Sequence, residues 1–428
     1  MIAAFALAQV LSYPFPNALV RDETGTAIAY ALDTQGVRSI WFARGPQWTP
    51  VQLFSSNADD GQELANLAIS NDDSHVVYVR GGDHDADWPV PLQPGPASMP
   101  QQPEMQVWSV ATGLGRSTAL GVAPAKLLGV GDAPAISPDG TRVAFTNGGA
   151  VMIAPIDGGS EAKRLFFDRG QDSDLRWSPD GSALAFVSTR SDHSFIGIYR
   201  NESTPIEFLS PATSQDIMPR WSPDGQRIAF IRVPGDGGPP RNPLNWNPIP
   251  WQIWVADARS GAGDLVWSSP NTLRGSLPQT AGGPFLDWAA GNQLVFKNEE
   301  DNWPHLYAVS ANGGPARLLT PGSYTIEDVD VAPDRRSLLY SANVGITGGD
   351  DDRRHLYRTG ILSGQPLPVT SGAGSEWQAV SLAEGAAFDG ATAQQPPVVT
   401  VLSAGDQRAL DSNLVPSTFP SSQLVTPR

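Results

Sequence analysis

The sequence contains no cysteine, which excludes disulfides, thiolate nucleophiles and Cys-ligated metals together. Basic residues are scarce: 28 Lys and Arg stand against 44 Asp and Glu, a formal net charge of −16. A chain so acidic is a poor partner for a nucleic-acid backbone or an anionic membrane surface. Long apolar runs are missing as well, and none approaches the roughly 20 residues of a transmembrane helix. The opening MIAAFALAQ, with Ala6-Leu7-Ala8, reads either as the remnant of a secretion signal, which would place the protein outside the cytoplasm, or as an apolar arm on the first repeat. Stretches with a 3.6-residue apolar period are nearly absent, so helices between strands, and with them a doubly wound α/β fold, are excluded. What fills the chain is Gly (43), Pro (39) and Trp (13), the composition of many short strands joined by tight turns.

Those turns repeat. WSPDG begins at Trp177 and again at Trp221, each time inside a longer phrase, LRWSPDGSALAF and PRWSPDGQRIAF. A strand ends on the Trp, Pro-Asp-Gly makes the turn, and an alternating apolar strand (Leu184, Phe186; Ile228, Phe230) returns antiparallel. Looser copies lie at Ala68 (AISNDDSHVVY), Ala135 (AISPDGTRVAF) and Asp330 (DVAPDRRSLLY). Counted this way there are eight units of about 40 to 50 residues, each with four strands, the sequence form of propeller blades. The expected fold is therefore an all-β propeller of eight four-stranded blades, with seven as the other count. The ring is expected to be open, because the first blade can draw its strands from the N-terminal segment alone. The boundaries follow: an arm over 1–20, the propeller over 21–410, and a linker over 411–428.

In such a blade the SPDG turn and the turn after the third strand share one end, and the connection from the second to the third strand lies at the other. The SPDG turns are short and uniform. The opposite connections are long and individual, running from Gly81, Thr189, Pro234, Lys297 and Ala342, and function concentrates in loops of that kind. In them lie His84 among Asp83, Asp85 and Asp87, and the run Asp350 to Asp352 before Arg353 and Arg354. Both runs read better as solvated acidic loops than as cation sites, since hard cations need several rigidly held oxygens, and no metal or cofactor is expected. His305 and His355 each precede Leu-Tyr at the start of a third strand, which repeat packing explains. Trp88, Trp246, Trp251 and Trp303 are candidates either for docking a domain or for capping blade edges.

The phrases DNWPHLYAVSANGGPARLLTPG from Asp301, PWQIWVAD from Pro250, DDDRRHLYR from Asp350, STRSDHSFIGIY from Ser188 and QVLSYPFPNALV from Gln9 resemble the N-terminal propeller of the prolyl oligopeptidase family of serine peptidases. The bacterial dipeptidyl-peptidase-IV-like members are the most similar. The resemblance covers nearly the whole chain and implies a C-terminal α/β-hydrolase partner domain carrying Ser, Asp and His, with the Ser on a G-x-S-x-G elbow. No such elbow occurs here, and NLVPSTFPSSQLVTPR resembles the linker into that hydrolase. The implied role is a non-catalytic propeller that admits short peptides to a serine exopeptidase. Members of the family hold the substrate's free amino terminus on a pair of propeller glutamates. Glu299 and Glu300 are a pair of that type, although the surrounding motif does not match residue by residue. Glu299, Glu300, Arg353 and Arg354 are accordingly the candidate substrate-binding residues, with a charged hairpin tip as the alternative for the glutamates. The competing function is a stand-alone interaction propeller similar to those of the Tol system, which share single SPDG turns.

Overall fold

The computed structural model describes residues 7–82, 104–113, 124–237, 247–279, 282–344 and 353–425. They form 32 strands, and the one α-helix among them is a single turn, Leu7–Val10. No helix among the described residues is long and apolar enough to cross a membrane. The strands make seven sheets, six of four strands and one of eight. In the last, two four-stranded units touch through a single parallel bridge between Ser194 and Gln215. The result is eight consecutive antiparallel blades of a β-propeller: 15–55, 64–130, 132–164, 171–208, 215–268, 286–318, 326–368 and 374–409.

The chain divides into two compact units, Met1–Asn147 with Ile153–Lys163 and Ser371–Arg428, and Gly148–Met152 with Arg164–Thr370. Blades 1, 2 and 8 belong to the first and blades 4 to 7 to the second, while blade 3 has residues in both.

The first blade starts earlier than the expected boundary at residue 21, because Phe15–Arg21 is its first strand and pairs with Ala27–Thr34. No strand is exchanged between the first and last blades. Blade 8 takes all four strands from 374–409 and meets blade 1 through packing of Leu382, Ala387, Val399 and Val401 on Leu19, Ile28, Tyr30 and Leu32, and through the Ala383 amide, which donates 2.9 Å to the Gly25 carbonyl. The stretch assigned as a linker is also folded. It forms 3-10 turns at Ser412–Leu414 and Ser421–Gln423, and Phe419 packs edge-on against Tyr13 at 5.8 Å.

The SPDG turn is braced by its own side chains. The Ser178 hydroxyl donates to Asp180 Oδ1 at 2.6 Å and accepts from the Ala183 amide at 2.9 Å, while the Ser182 amide donates to Asp180 Oδ1 at 3.0 Å. The copy at Ser222, Asp224 and Arg227 repeats these contacts. Gly181 and Gly225 stand at φ of 70° and 68°, the left-handed region that a Cβ disfavours. The serine hydrogen bonds hold the Asp180 and Asp224 carboxyls below the usual range.

The Trp of the phrase has a role beyond ending a strand. Trp221 Nε1 donates 2.9 Å to the carbonyl of Arg176 in blade 4, and Trp288 Nε1 donates 2.8 Å to the carbonyl of Arg220 in blade 5. In blade 7, Arg335 Nη1 donates 3.2 Å to the carbonyl of Trp288. Each later blade thus reaches back to the residue at the end of its predecessor's first strand.

A second regularity lies inside the blades. In seven of them the first strand carries two residues opposite one residue of the second strand, and the first of the two is a non-glycine at φ between 45° and 56°: Ala18, Asn66, Ala133, Asp174, Met218, Asp328 and Gln378. The single residue facing each bulge is an aromatic, respectively Tyr30, Tyr78, Phe145, Phe186, Phe230, Tyr340 and Phe388, and all seven are fully buried. Only the short first strand of blade 6, Leu286–Ala289, passes its aromatic, Phe296, without a register shift.

Two predictions follow from turn and indole geometry. Gly181→Ala and Gly225→Ala should each lower stability by about 1 to 2 kcal/mol; chemical denaturation that finds both unchanged would refute the positive-φ requirement. Trp221→Phe, which keeps an aromatic ring but leaves the Arg176 carbonyl without its donor, should cost about 1 to 3 kcal/mol, and a variant as stable as wild type would show that the indole link carries no energy.

Candidate functional site

Within a blade the end of the second strand, the start of the third and the start of the first lie together, as the pairs Asn298 with His305, Ile326 with Ala342, and Ala342 with His355 show. At this end of blades 6 and 7 the structure gathers charge. Lys297, near the end of the second strand of blade 6, is buried, and burial pushes its ammonium down in pKa against the opposing pull of Glu299, Glu327 and Asp328. Glu327 and Asp328 open the first strand of blade 7. The bulge there turns Asp328 so that its Oδ2 accepts from Ser341 at 3.1 Å. Arg354, just before the third strand of blade 7, grips Glu327 with two guanidinium nitrogens, Nε and Nη2, the latter at 3.0 Å, and this pairing pushes the arginine up.

Of the four residues nominated from the sequence, Glu299 and Arg354 therefore enter one cluster, together with Lys297, Glu327 and Asp328. Glu300 stands exposed at the hairpin tip, and Arg353 is half-buried beside Arg354. His305 and His355 are fully buried; His305 Nδ1 lies 2.7 Å from Asp301 Oδ2, and its ring meets Tyr324 edge-on. Trp251 is neither a docking anchor nor an edge cap. It is buried between blades 5 and 6 against Trp267 and Phe296. Trp303 is half-buried. His84 with Asp83, Asp85 and Asp87, the run Asp350 to Asp352, and Trp88 and Trp246 lie outside the described residues.

Further buried charge lies at the same end of blades 4 and 5. Asp216 and Arg232 form a bidentate pair at 2.7 and 2.8 Å, with the guanidinium 4.4 Å over the Trp254 ring. In blade 4, Arg190 Nη2 reaches both oxygens of Asp168 at 3.0 and 3.2 Å, and Ser188 donates to Asp168. Asp172 is buried beside them. Burial first, then the charge of Asp168 and a hydrogen bond to it, push Asp172 up to about 7, with Arg190 and Arg164 opposing. An open polar cleft of about 300 Å³ lies at the other end of these blades, between the two SPDG turns. It is lined by Asp180 and Asp224, whose oxygens are already engaged within the turns.

Comparison with known proteins follows the same lines. Residues 267–398 match the family model for the dipeptidyl peptidase IV (DPP IV) N-terminal region, so the resemblance read from the sequence is borne out there. No curated protein matches the chain by sequence. Among solved structures, the chain is similar to Porphyromonas gingivalis dipeptidyl peptidase 4, at 15% identity and a TM-score of 0.59 over 92% of this chain and 59% of that one. It is also similar to a prolyl endopeptidase, at 13% identity and 0.55 over 92% and 55%. A third is a Mycobacterium tuberculosis puromycin-hydrolyzing peptidase, at 14% identity and 0.51 over 94% and 53%. Identities this low speak for the fold. The chain spans between one half and three-fifths of the length of each of these three.

The raised Asp172 makes a pH prediction. Its folded value, about 7, exceeds the ordinary aspartate value near 3.9, so the native state holds the proton more tightly. That contribution is complete below about pH 3.9 and lost as pH rises toward 7. Asp172→Asn, an uncharged stand-in for the protonated acid, should therefore raise the melting temperature relative to wild type at pH 8 and much less at pH 5. A constant offset across that range would refute the assignment.

Proposed function

We propose that the chain is the non-catalytic, substrate-gating propeller of a prolyl-oligopeptidase or dipeptidyl-peptidase-type serine peptidase, acting with an α/β-hydrolase domain that supplies the Ser-Asp-His triad. The observation that supports this reading is the extent of the family match: 267–398 takes in blades 6 and 7 whole and most of blade 8, and with them the charged cluster. The sequence brings no nucleophile of its own to such chemistry, since it contains neither a G-x-S-x-G elbow nor a cysteine.

The cluster suits a cationic group. Four carboxylates, Glu299, Glu300, Glu327 and Asp328, stand there with three cations, Lys297, Arg353 and Arg354, and Arg354 is paired with Glu327. In open solvent a carboxylate pairs with an ammonium for only about 0 to 1 kcal/mol. A second domain seated over this end would exclude water and strengthen the same pair. The long-loop end of blades 6 and 7 is thus suited to hold the free amino terminus of a short peptide, with the bulk of the propeller turning away folded substrates.

The purified 428-residue chain should not turn over a Gly-Pro or Ala-Pro chromogenic substrate. Turnover abolished by a serine-directed inhibitor would overturn the non-catalytic assignment. Joined to a hydrolase domain of the family, the chain should yield peptidase activity selective for short peptides. In that protein, Glu299→Gln with Glu300→Gln should raise KM for substrates with a free amino terminus and leave amino-blocked ones unchanged; an unaltered KM would remove these glutamates from recognition.

A further inference from the structure

The segment after blade 8 is strapped to the first unit at several points, and one of them is a carboxyl group in an apolar setting. Leu410 donates its amide to the Val399 carbonyl at 2.8 Å, and Val399 returns its amide to Asp411 Oδ1 at 2.9 Å. Leu414 then packs on the apolar cluster between blades 1 and 8, and its amide closes a turn on the Asp411 carbonyl at 2.9 Å. Farther on, Phe419 meets Tyr13, Gln9 Nε2 reaches the Thr418 carbonyl at 3.5 Å, and Gln394 Nε2 donates to the Leu424 carbonyl at 2.9 Å.

Asp411 is 2% exposed. Its neighbours Val399 and Leu410 belong to the apolar cluster with Leu382, Val401 and Trp48, and the phenol of Tyr30, from the second strand of blade 1, feels the charge both of Asp411 and of Asp389, from the second strand of blade 8 directly across from Val399. Tyr30 and Asp389 are fully buried, and Tyr30 carries a phenol hydroxyl without a hydrogen-bond partner among the described residues. No Lys, Arg or His among the described residues acts on Asp411.

We propose that Asp411 is a proton-operated latch: protonated, it holds segment 411–424 down on blade 8 and the N-terminal arm, and on losing its proton to solvent it lets the segment go. The physical reason is the environment. An ionised carboxylate here has the amides of Asp411 and Val399 as donors but no cation and an apolar surrounding, so it gains hydration by leaving. Burial places its titration at about 7 despite the hydrogen bonds from its own amide and that of Val399, which pull the other way. The folded value lies above the ordinary one, so the hold is complete below about pH 3.9 and is lost as pH rises through 7. The inference concerns residues of this chain only and does not depend on the peptidase reading.

Hydrogen–deuterium exchange of the whole chain tests it, with the amides of 411–424 compared with those of Gly385–Thr392 in the second strand of blade 8, each corrected for its intrinsic rate. Between pH 5.5 and 8.5 the protection of the segment should fall by roughly thirtyfold, the ratio given by a carboxyl that titrates near 7 when held and near 3.9 when free, while the strand keeps its protection. Asp411→Asn, which retains an oxygen for the Val399 amide, should hold the segment at every pH. Protection of the wild type independent of pH would overturn the latch. So would an Asp411→Asn variant that still opens with pH, or a response abolished only by Asp389→Asn. Carbon-13 titration of aspartate-labelled protein, with the Asp411 resonance identified by its loss in Asp411→Asn and so told apart from Asp172, serves as the direct check: a midpoint near 7 is expected for Asp411, and an Asp411 midpoint below 5 would end the proposal.

Discussion

The blades are built around one steric demand, a ring of Phe or Tyr at the same position of the second strand. Blade 6, whose first strand is only four residues long, seats its ring opposite the single residue Leu286; the other seven do not. In them the first strand answers with two residues in place of one, and bends around the ring. Each bulge puts a residue with a Cβ into left-handed backbone, at a cost of about 1 to 2 kcal/mol, while burying a Phe side chain returns about 1.5 to 3 kcal/mol. Burial therefore wins at Met218 and Ala18 as well as at Asn66, Asp174 and Asp328, where the side chain tolerates the conformation better. A bulged edge is also twisted away from the straight line another strand needs for pairing. In the seven bulged blades one ring thus goes with the core, the bend and the pairing limit together.

Charge is arranged at both ends of the blades. At the turn end the carboxylates of Asp180 and Asp224 satisfy serine hydroxyls and amides a few residues away, while Arg44 and Arg335 reach Asp73 and Asp287 of the adjacent blade at 3.2 and 3.6 Å. At the long-loop end charge is pooled across elements. Arg232 takes Asp216 from the neighbouring strand, Arg354 in blade 7 takes Glu327, and Lys297 in blade 6 lies within the field of Glu327 and Asp328 of blade 7. Buried ion pairs add little net stability compared with apolar packing.

Much of this was open to reading in the sequence, and what was hidden has a common cause. The SPDG turns and the count of eight are local, encoded within about ten residues, and are found where expected, whereas the second strands, read as alternating, are buried on both faces. The bulges were not visible, because Ala18, Met218 and Gln378 carry no conformational signature of the left-handed region; tertiary packing of Tyr30, Phe230 and Phe388 imposes it. The first strand of blade 1 was missed since PFPNALVR lacks a preceding turn phrase. Trp251 read as a docking or edge-capping residue because its loop is long, yet it lies buried just before the strand Gln252–Asp257. In the candidate site Glu299 and Arg354 were legible as charged residues next to strand ends. Glu327 was not, being an acidic residue within an inner strand whose partner lies 27 positions away. The pairing of Asp172 with Asp168 was hidden likewise, by a turn of chain that only the folded blade defines.

The links between blades 5, 6 and 7 run both ways. Trp288 Nε1 of blade 6 donates to the carbonyl of Arg220 in blade 5, and Arg220 Nε donates 3.1 Å forward to the carbonyl of Leu286 in blade 6. Arg335 Nη1 of blade 7 donates to the Trp288 carbonyl, and the Ala290 amide of blade 6 donates 2.8 Å forward to the carbonyl of Arg335. During synthesis each blade can form its own sheet as it emerges, as in other repeat architectures, but its seam with the next closes only when that blade has been translated. A lesion in blade 6 therefore takes donors and acceptors away from both of its neighbours at once.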